Sequence, residues 1–157
     1  MPKELIFQIE KATANDLTAM TDLLQVLFSI EQDFIPNPER QRTGLQQLLE
    51  DTQRARVLVA RLPTGEVIGL CSAQLVISTA EGGYSVWIED VIIASRYRGN
   101  GVGKALLQTA LDWAAQRGAT RAQLLADREN ISALQFYQKL GWQETRLQAQ
   151  QCFLNPD

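Results

Sequence analysis

"RYRGNGVGKALL", residues 96–107, holds Gly99, Gly101 and Gly103 within five residues, between two arginines and a lysine. An apolar run, YSVWIEDVIIA (84–94), leads into it, and a helix-like run, VGKALLQTALDWAAQR (102–117), begins inside it. A glycine loop between a strand and a helix is suited to anions. The first amides of a helix have no internal acceptor, the helix dipole favours negative charge there, and glycine lets a phosphate approach the backbone. Arg96, Arg98 and Lys104 add positive charge. The rival reading is a flexible turn into a helix, with no ligand.

Two phosphate motifs do not fit. The P-loop needs a glycine where Arg98 stands and a serine or threonine where Ala105 stands. The dinucleotide fingerprint needs a glycine at Lys104 or at Leu106. What remains is Arg98-x-x-Gly101-x-Gly103.

Working outward, LIFQIEKA (5–12) reads as a strand. Thr13 or Asn15 then caps a helix with Leu17, Met20, Leu23, Leu24 and Leu27 on one face. A loop at 29–38 carries Glu31 and Asp33, and PERQRTGLQQLLED (38–51) reads as a second helix with Pro38 near its start. RVLVARL (56–62) and VIGLCSAQLVIST (67–79) are strands joined by a PTGE turn, and AEGG (80–83) turns the chain into 84–94. That last run is apolar on both faces, as a central strand should be. Gly118 stops the helix after the loop. A strand at 121–127, a short helix at 131–140 ended by Gly141, and one or two closing strands in WQETRLQAQQCFL (142–154) complete the chain. The order predicts a mixed α/β sheet with helices on both faces, in one domain over residues 1–157. The strands either side of the helix at 102–117 should be parallel.

The bulk numbers narrow the function. The 157 residues carry a net charge of −3. Residues 1–90 hold 13 acidic and 7 basic side chains, whereas residues 91–157 hold 5 acidic and 8 basic. An anionic ligand on the second part and a cationic one on the first would suit this split, as would scatter. A pI near 5.0 and the lack of a basic stripe argue against nucleic acid. No run reaches the about 20 apolar residues of a membrane helix, and the N-terminus lacks a signal-peptide core, so the expected location is the cytoplasm. The chain has no histidine, which removes Ser-His and Cys-His catalysis and most zinc sites, so no metal is expected. Its two cysteines, Cys71 and Cys152, read as buried free thiols.

The loop, R/Q-x-x-G-x-G/A after an apolar strand, resembles the coenzyme A pyrophosphate loop of the GNAT superfamily of N-acetyltransferases. ADRENISALQFYQKLGW (126–142) is similar to that superfamily's later signature through Asn130, Ala133, Phe136, Tyr137, Gly141 and Trp142, in order and spacing. WIEDVIIASRYRGNGVG also looks like the strand and loop of its small-amine and amino-sugar members. The resemblance covers residues 84–145 closely and the first 80 residues in outline.

It implies the GNAT fold, with a mostly antiparallel mixed sheet. It also implies acetyl transfer from acetyl-CoA to a primary amine of a small, cationic acceptor, by direct attack in a ternary complex. The pantetheine arm would pair with the backbone of Val91, Ile92 and Ile93. The amides of Arg98, Gly99, Asn100, Gly101, Val102, Gly103 and Lys104 would cradle the pyrophosphate, with the Arg98 side chain able to brace the loop instead. Asn130 would reach the donor, and Ala133 and Phe136 would line its arm. Tyr137 would give the leaving thiolate a proton; a tyrosine packed under the sheet is the plainer reading. Glu89 would be the base or the amine anchor.

Glu89 and Asp90 are consecutive, so without a bulge they point to opposite faces and at most one reaches an acceptor. Asp90 is the weaker candidate for amine binding, and both can be structural. A water chain is the other route for the proton. Glu31, Asp33 and Phe34 lie where such enzymes shape the acceptor site, though a solvated loop is the simpler account. Members of the superfamily often dimerise, which leaves a homodimer open. Two rivals stand beside the enzyme: a catalytically silent GNAT domain that senses acyl-CoA, and a nucleotide-binding α/β domain unrelated to coenzyme A. The second would have no use for the pattern from Asn130 to Gly141.

Overall fold

A computed structural model describes residues 3–30, 35 and 37–155. Glu31, Asp33 and Phe34, the expected acceptor-loop residues, lie outside the described residues. The chain divides into two compact units, Met1–Leu124 and Leu125–Asp157.

The first unit is built on one sheet of five strands: β1 (Gln8–Lys11), β2 (Ala55–Arg61), β3 (Val67–Ser78), β4 (Gly83–Ile93) and β5 (Arg121–Leu124), in that spatial order. The first four pair antiparallel, and β5 lies parallel to β4, as a helical crossover requires. α1 (Leu17–Ile30), α2 (Pro38–Glu50) and α3 (Val102–Gln116) pack on it. This is the mixed, mostly antiparallel α/β sheet that the sequence predicts.

Helices cover both faces. Leu70 of β3 and Ile92 of β4 join Met20, Leu24 and Leu45 in the core under α1 and α2. Gly69, the next residue along β3, faces the other side, where a Cβ would stand 3.2 Å from Leu106 Cδ1 of α3 and 3.0 Å from Ile93 Cδ1. The central strands are therefore enclosed on both sides, which explains their unbroken apolar sequence.

Polar staples set the elements around this core. Asn37 caps α2 by accepting from Arg40 N–H at 3.1 Å, and Pro38 opens the helix. Arg61 of β2 donates to Glu10 of β1 at 2.7 Å and to Asp16 at 2.8 Å. Asp16 also accepts from Thr13 N–H at 3.0 Å, which fixes the entry to α1.

The second unit holds one helix, α4 (Ile131–Lys139). The closing strands expected over 142–154 do not form: among the described residues no strand follows β5, and residues 143–155 are exposed throughout. The stretch is rich in glutamine, and its large apolar residues Leu147, Phe153 and Leu154 stay exposed. Cys152 lies in it and is exposed, which corrects the expectation of a buried thiol; Cys71 of β3 is buried as expected. Burial, and then the charge of Asp90, push the Cys71 thiol up to about 12. No helix among the described residues is long and apolar enough to cross a membrane.

Candidate active site

The second half of β4 has an open side. β5 pairs with it only from Ser85 to Ile88. Among the described residues, β4 beyond Ile88 pairs with β3 alone, with Ile92 opposite Leu70 and Ile93 opposite Gly69. Ala94 N–H donates to Ile68 O at 2.8 Å, and bonded pairs recur at every second residue of an antiparallel ladder. Ile92 therefore turns its backbone groups to β3, and Val91 and Ile93 turn theirs to the open side. The Arg98 Nε–H donates to Ile93 O at 3.2 Å, so that carbonyl is capped by the loop.

A short 3-10 turn, Ser95–Tyr97, carries the chain from β4 into the glycine loop. Asn100 Nδ2 staples the loop from inside, donating to Tyr97 O at 3.0 Å and Arg98 O at 3.2 Å. Gly99 and Gly101 have φ of 79° and 81°, in the left-handed region. A Cβ at either would meet nothing within 4 Å, so backbone conformation, not crowding, calls for glycine here. Gly101 opens α3 with no side-chain cap, and its carbonyl accepts the Ala105 N–H at 3.1 Å. The amides of residues 99–104 have no acceptor among the described residues. Six consecutive donors are thus unpartnered among the described residues at the positive end of a helix of 15 residues.

The three nearby cations have separate tasks. Arg96 is ion-paired with Glu66 and lies 4.9 Å over the Tyr97 ring, so it faces the β2–β3 turn instead of the loop. Arg98 braces Ile93. Lys104 is exposed at the helix start and has no ion pair among the described residues.

The two carboxylates of β4 differ sharply. The register passes from Ser72↔Asp90 to Ala73↔Ile88, so Glu89 is the extra residue of a β-bulge. Glu89 is exposed, and Asp90 is buried. Asp90 Oδ2 accepts from the Ser72 hydroxyl at 2.7 Å. Burial pushes the Asp90 carboxyl up to about 6, against the opposing pull of the Ser72 hydrogen bond. The sequence reading passed over Ser72; a hydroxyl inside the apolar run of β3 was the available sign.

In the second unit, Asn130 caps α4, its Oδ1 accepting from Ala133 N–H at 3.1 Å. The helix ends in a Schellman motif: Trp142 N–H donates to Tyr137 O and Gly141 N–H to Gln138 O, each at 3.0 Å, with Gly141 at φ 93°. This reversal folds Trp142 back onto Tyr137. The Tyr137 ring stands edge-on between Phe136, 5.2 Å away, and Trp142, 5.9 Å away. Ala133, Phe136 and Tyr137 are each half-buried.

Comparison with known proteins covers residues of both units. The profile of the Acetyltransferase (GNAT) family matches residues 18–142. A glucosamine 6-phosphate N-acetyltransferase of Trypanosoma brucei brucei is 31% identical over 99 residues, 60% of this chain and 65% of its own length. Streptothricin acetyltransferase A of Bacillus subtilis is 39% identical over 69 residues, 44% of this chain and 39% of its own length. The match thus spans less than two thirds of either relative. Among solved structures, an aminoglycoside acetyltransferase from a soil metagenomic sample, in complex with sisomicin, superposes with a TM-score of 0.75 at 22% identity, covering 95% of this chain and 97% of its own. The aminoglycoside N-acetyltransferase AAC(6')-Iy, in complex with CoA, gives 0.82 at 18% identity, covering 98% of each. At such identities the superpositions speak for the fold alone. With the family profile running from α1 to the end of the Schellman turn, the chain belongs to the GNAT family of acetyltransferases.

Proposed function

We propose that residues 1–157 act as one N-acetyltransferase domain. It moves the acetyl group of acetyl-CoA to a primary amine of a small, cationic acceptor, in the cytoplasm and without a metal. The observation that carries this reading is the row of unpartnered amides over residues 99–104, directly after a strand whose Val91 backbone groups and Ile93 amide are also open. A diphosphate fits the first, and an extended amide-bearing arm fits the second. Bound there, acetyl-CoA supplies an activated acetyl thioester.

The chain's own residues do the rest. The Ile93 amide points to the open side and is the donor we assign to the oxygen that gains charge during attack; Ile92 is turned to β3. An alkyl amine has a pKa of about 10.4 and must lose a proton before it can attack. Glu89, exposed at the bulge, takes that proton directly or through water, and anchors the cation beforehand. Tyr137 gives a proton to the departing sulfur. The excess of acids over bases in residues 1–90 favours a cationic acceptor. Relatives named for glucosamine 6-phosphate and streptothricin add amino sugars and aminoglycosides as classes to try.

Titration calorimetry with acetyl-CoA, with ATP and NAD as controls, tests this first. Selective acetyl-CoA binding, followed by turnover on an amine panel, is the expected result. A folded protein that ignores acetyl-CoA would sink the reading. Binding without turnover on any amine would leave an acyl-CoA sensor in its place.

A further inference from the structure

The bulge in β4 has a specific lock. Directly opposed residues of two strands share a face, so Asp90 lies with Ser72 and Ile88 lies with Ala73. Ser72 and Ala73 are neighbours in β3 and occupy opposite faces. In a regular strand Ile88 and Asp90 would share a face; with Glu89 inserted, the strand changes sides between them. At that point the Ser72 hydroxyl donates to Asp90 Oδ2 at 2.7 Å and accepts the Asp90 N–H at 3.2 Å. Ser72 is 0% exposed and Asp90 8%. Among the described residues, Ser72 is the only side chain that bonds Asp90. Loss of the bulge, or its shift onto Asp90, would separate the two and leave a buried carboxylate without its donor, which is costly.

We propose that Ser72 and Asp90 are positioning residues for acetyl transfer: their paired hydrogen bonds lock the bulge, and the lock aims the Glu89 side chain and the Val91 and Ile93 backbone groups. The role rests on the donor-site reading of β4 and deepens it. If the bulge is lost and the ladder realigns by one residue, each following side chain turns to the other face. The Ile92 backbone groups then replace those of Val91 and Ile93 on the open side. Asp90 acts through its neighbours and does not itself meet the amine.

Three variants test the lock. Ser72→Ala removes the hydroxyl, and Asp90→Ala removes the acceptor. Asp90→Asn removes the charge and keeps an acceptor oxygen. Each is compared with wild type by amide hydrogen exchange and by acetyl-CoA titration. In Ser72→Ala and Asp90→Ala, exchange at Asp90 and at residues 91–93 should quicken, and acetyl-CoA should bind about tenfold more weakly, the order expected for one or two lost hydrogen bonds. Asp90→Asn should stay within about threefold of wild type, since the geometry survives.

The proposal fails if Ser72→Ala binds acetyl-CoA as wild type does. It fails if Asp90→Asn loses as much as Asp90→Ala, because charge would then be the requirement. It also fails if exchange quickens evenly across the sheet, which marks a purely structural residue. Should Ser72→Ala not fold, Ser72→Cys takes its place, with a longer, weaker bond at similar volume, under the same outcomes. A wild type that does not bind acetyl-CoA sinks the donor-site reading. Wild-type binding with unaffected variants sinks the lock alone.

Discussion

Three helices of this protein begin in two ways. α2 and α4 start behind asparagines whose side chains take an amide of the first turn, Arg40 N–H and Ala133 N–H, each at 3.1 Å. α3 starts behind Gly101, which has no side chain to offer and sits at φ 81°. An asparagine cap stabilises a helix by about 1 kcal/mol relative to alanine. α3, the longest of the three, does without one and leaves the amides of residues 99–104 open. Its stability comes from the buried Val102, Leu106, Leu107 and Ala110 along one side. The difference teaches that a well-packed helix can keep its entrance for a ligand, while shorter or more exposed ones close theirs.

Substitutions at these entrances and nearby can break or sharpen the contrast. The largest effect is expected at Tyr137 of α4, the acid in the proposed function. Tyr137→Phe should lower turnover about a hundredfold, the lower range for a general acid, with acetyl-CoA affinity little changed. Equal losses in both would make Tyr137 a binding residue. Gly101→Val forces a branched residue into the left-handed region at a cost of about 2 kcal/mol, and acetyl-CoA binding should weaken about tenfold or more. An unchanged affinity in the folded variant would remove the open entrance from the site.

A buried polar group already closed by its partner should respond in the opposite sense. The Asp90 carboxyl is raised to about 6 in the fold, against about 3.8 when exposed, because burial disfavours its charge. Below about pH 3 it is protonated in both states and costs nothing. The charge penalty grows as pH rises through that window and is complete above about pH 6. Asp90→Asn should therefore gain up to about 3 kcal/mol over wild type at pH 7.5 and nothing near pH 3, as read from urea midpoints. A gain independent of pH would refute the burial argument. The smallest effects close the series. Asn37→Ala and Asn130→Ala should each lose about 1 kcal/mol of stability or less. Only the second, which the resemblance would bring to the donor, should also alter acetyl-CoA binding.

Much of this was legible in the sequence because local and global signals agree. Asn37 with Pro38 announces α2, and Gly118 and Gly141 mark the ends of α3 and α4. The glycine loop was readable because strand, loop and helix are contiguous. Tyr137 and Trp142 were visible only as a spacing; their contact follows from the Schellman turn at Gly141. The bulge at Glu89 was not readable, since its lock joins Ser72 to a residue 18 positions away. Pairing register is a tertiary property, and two adjacent acids in a strand say nothing of it. The tasks of Arg96 were hidden likewise, because Glu66 lies across the β2–β3 turn. The stretch 142–154 misled for the opposite reason. Its Leu147, Ala149 and Phe153 alternate as in a strand, yet residues 143–155 stay exposed and, among the described residues, pair with no strand.

The state of Cys71 has a practical corollary. Acetyl transfer frees the thiol of coenzyme A, which can be followed by a dye that reacts with thiolates. Enclosed at 0% exposure and pushed up to about 12, Cys71 holds almost no thiolate at neutral pH and stays silent to such a reagent. The exposed Cys152 is left as the single protein thiol that reacts. A Cys152→Ser enzyme would give a continuous colour assay in which every count of free thiol is a turnover.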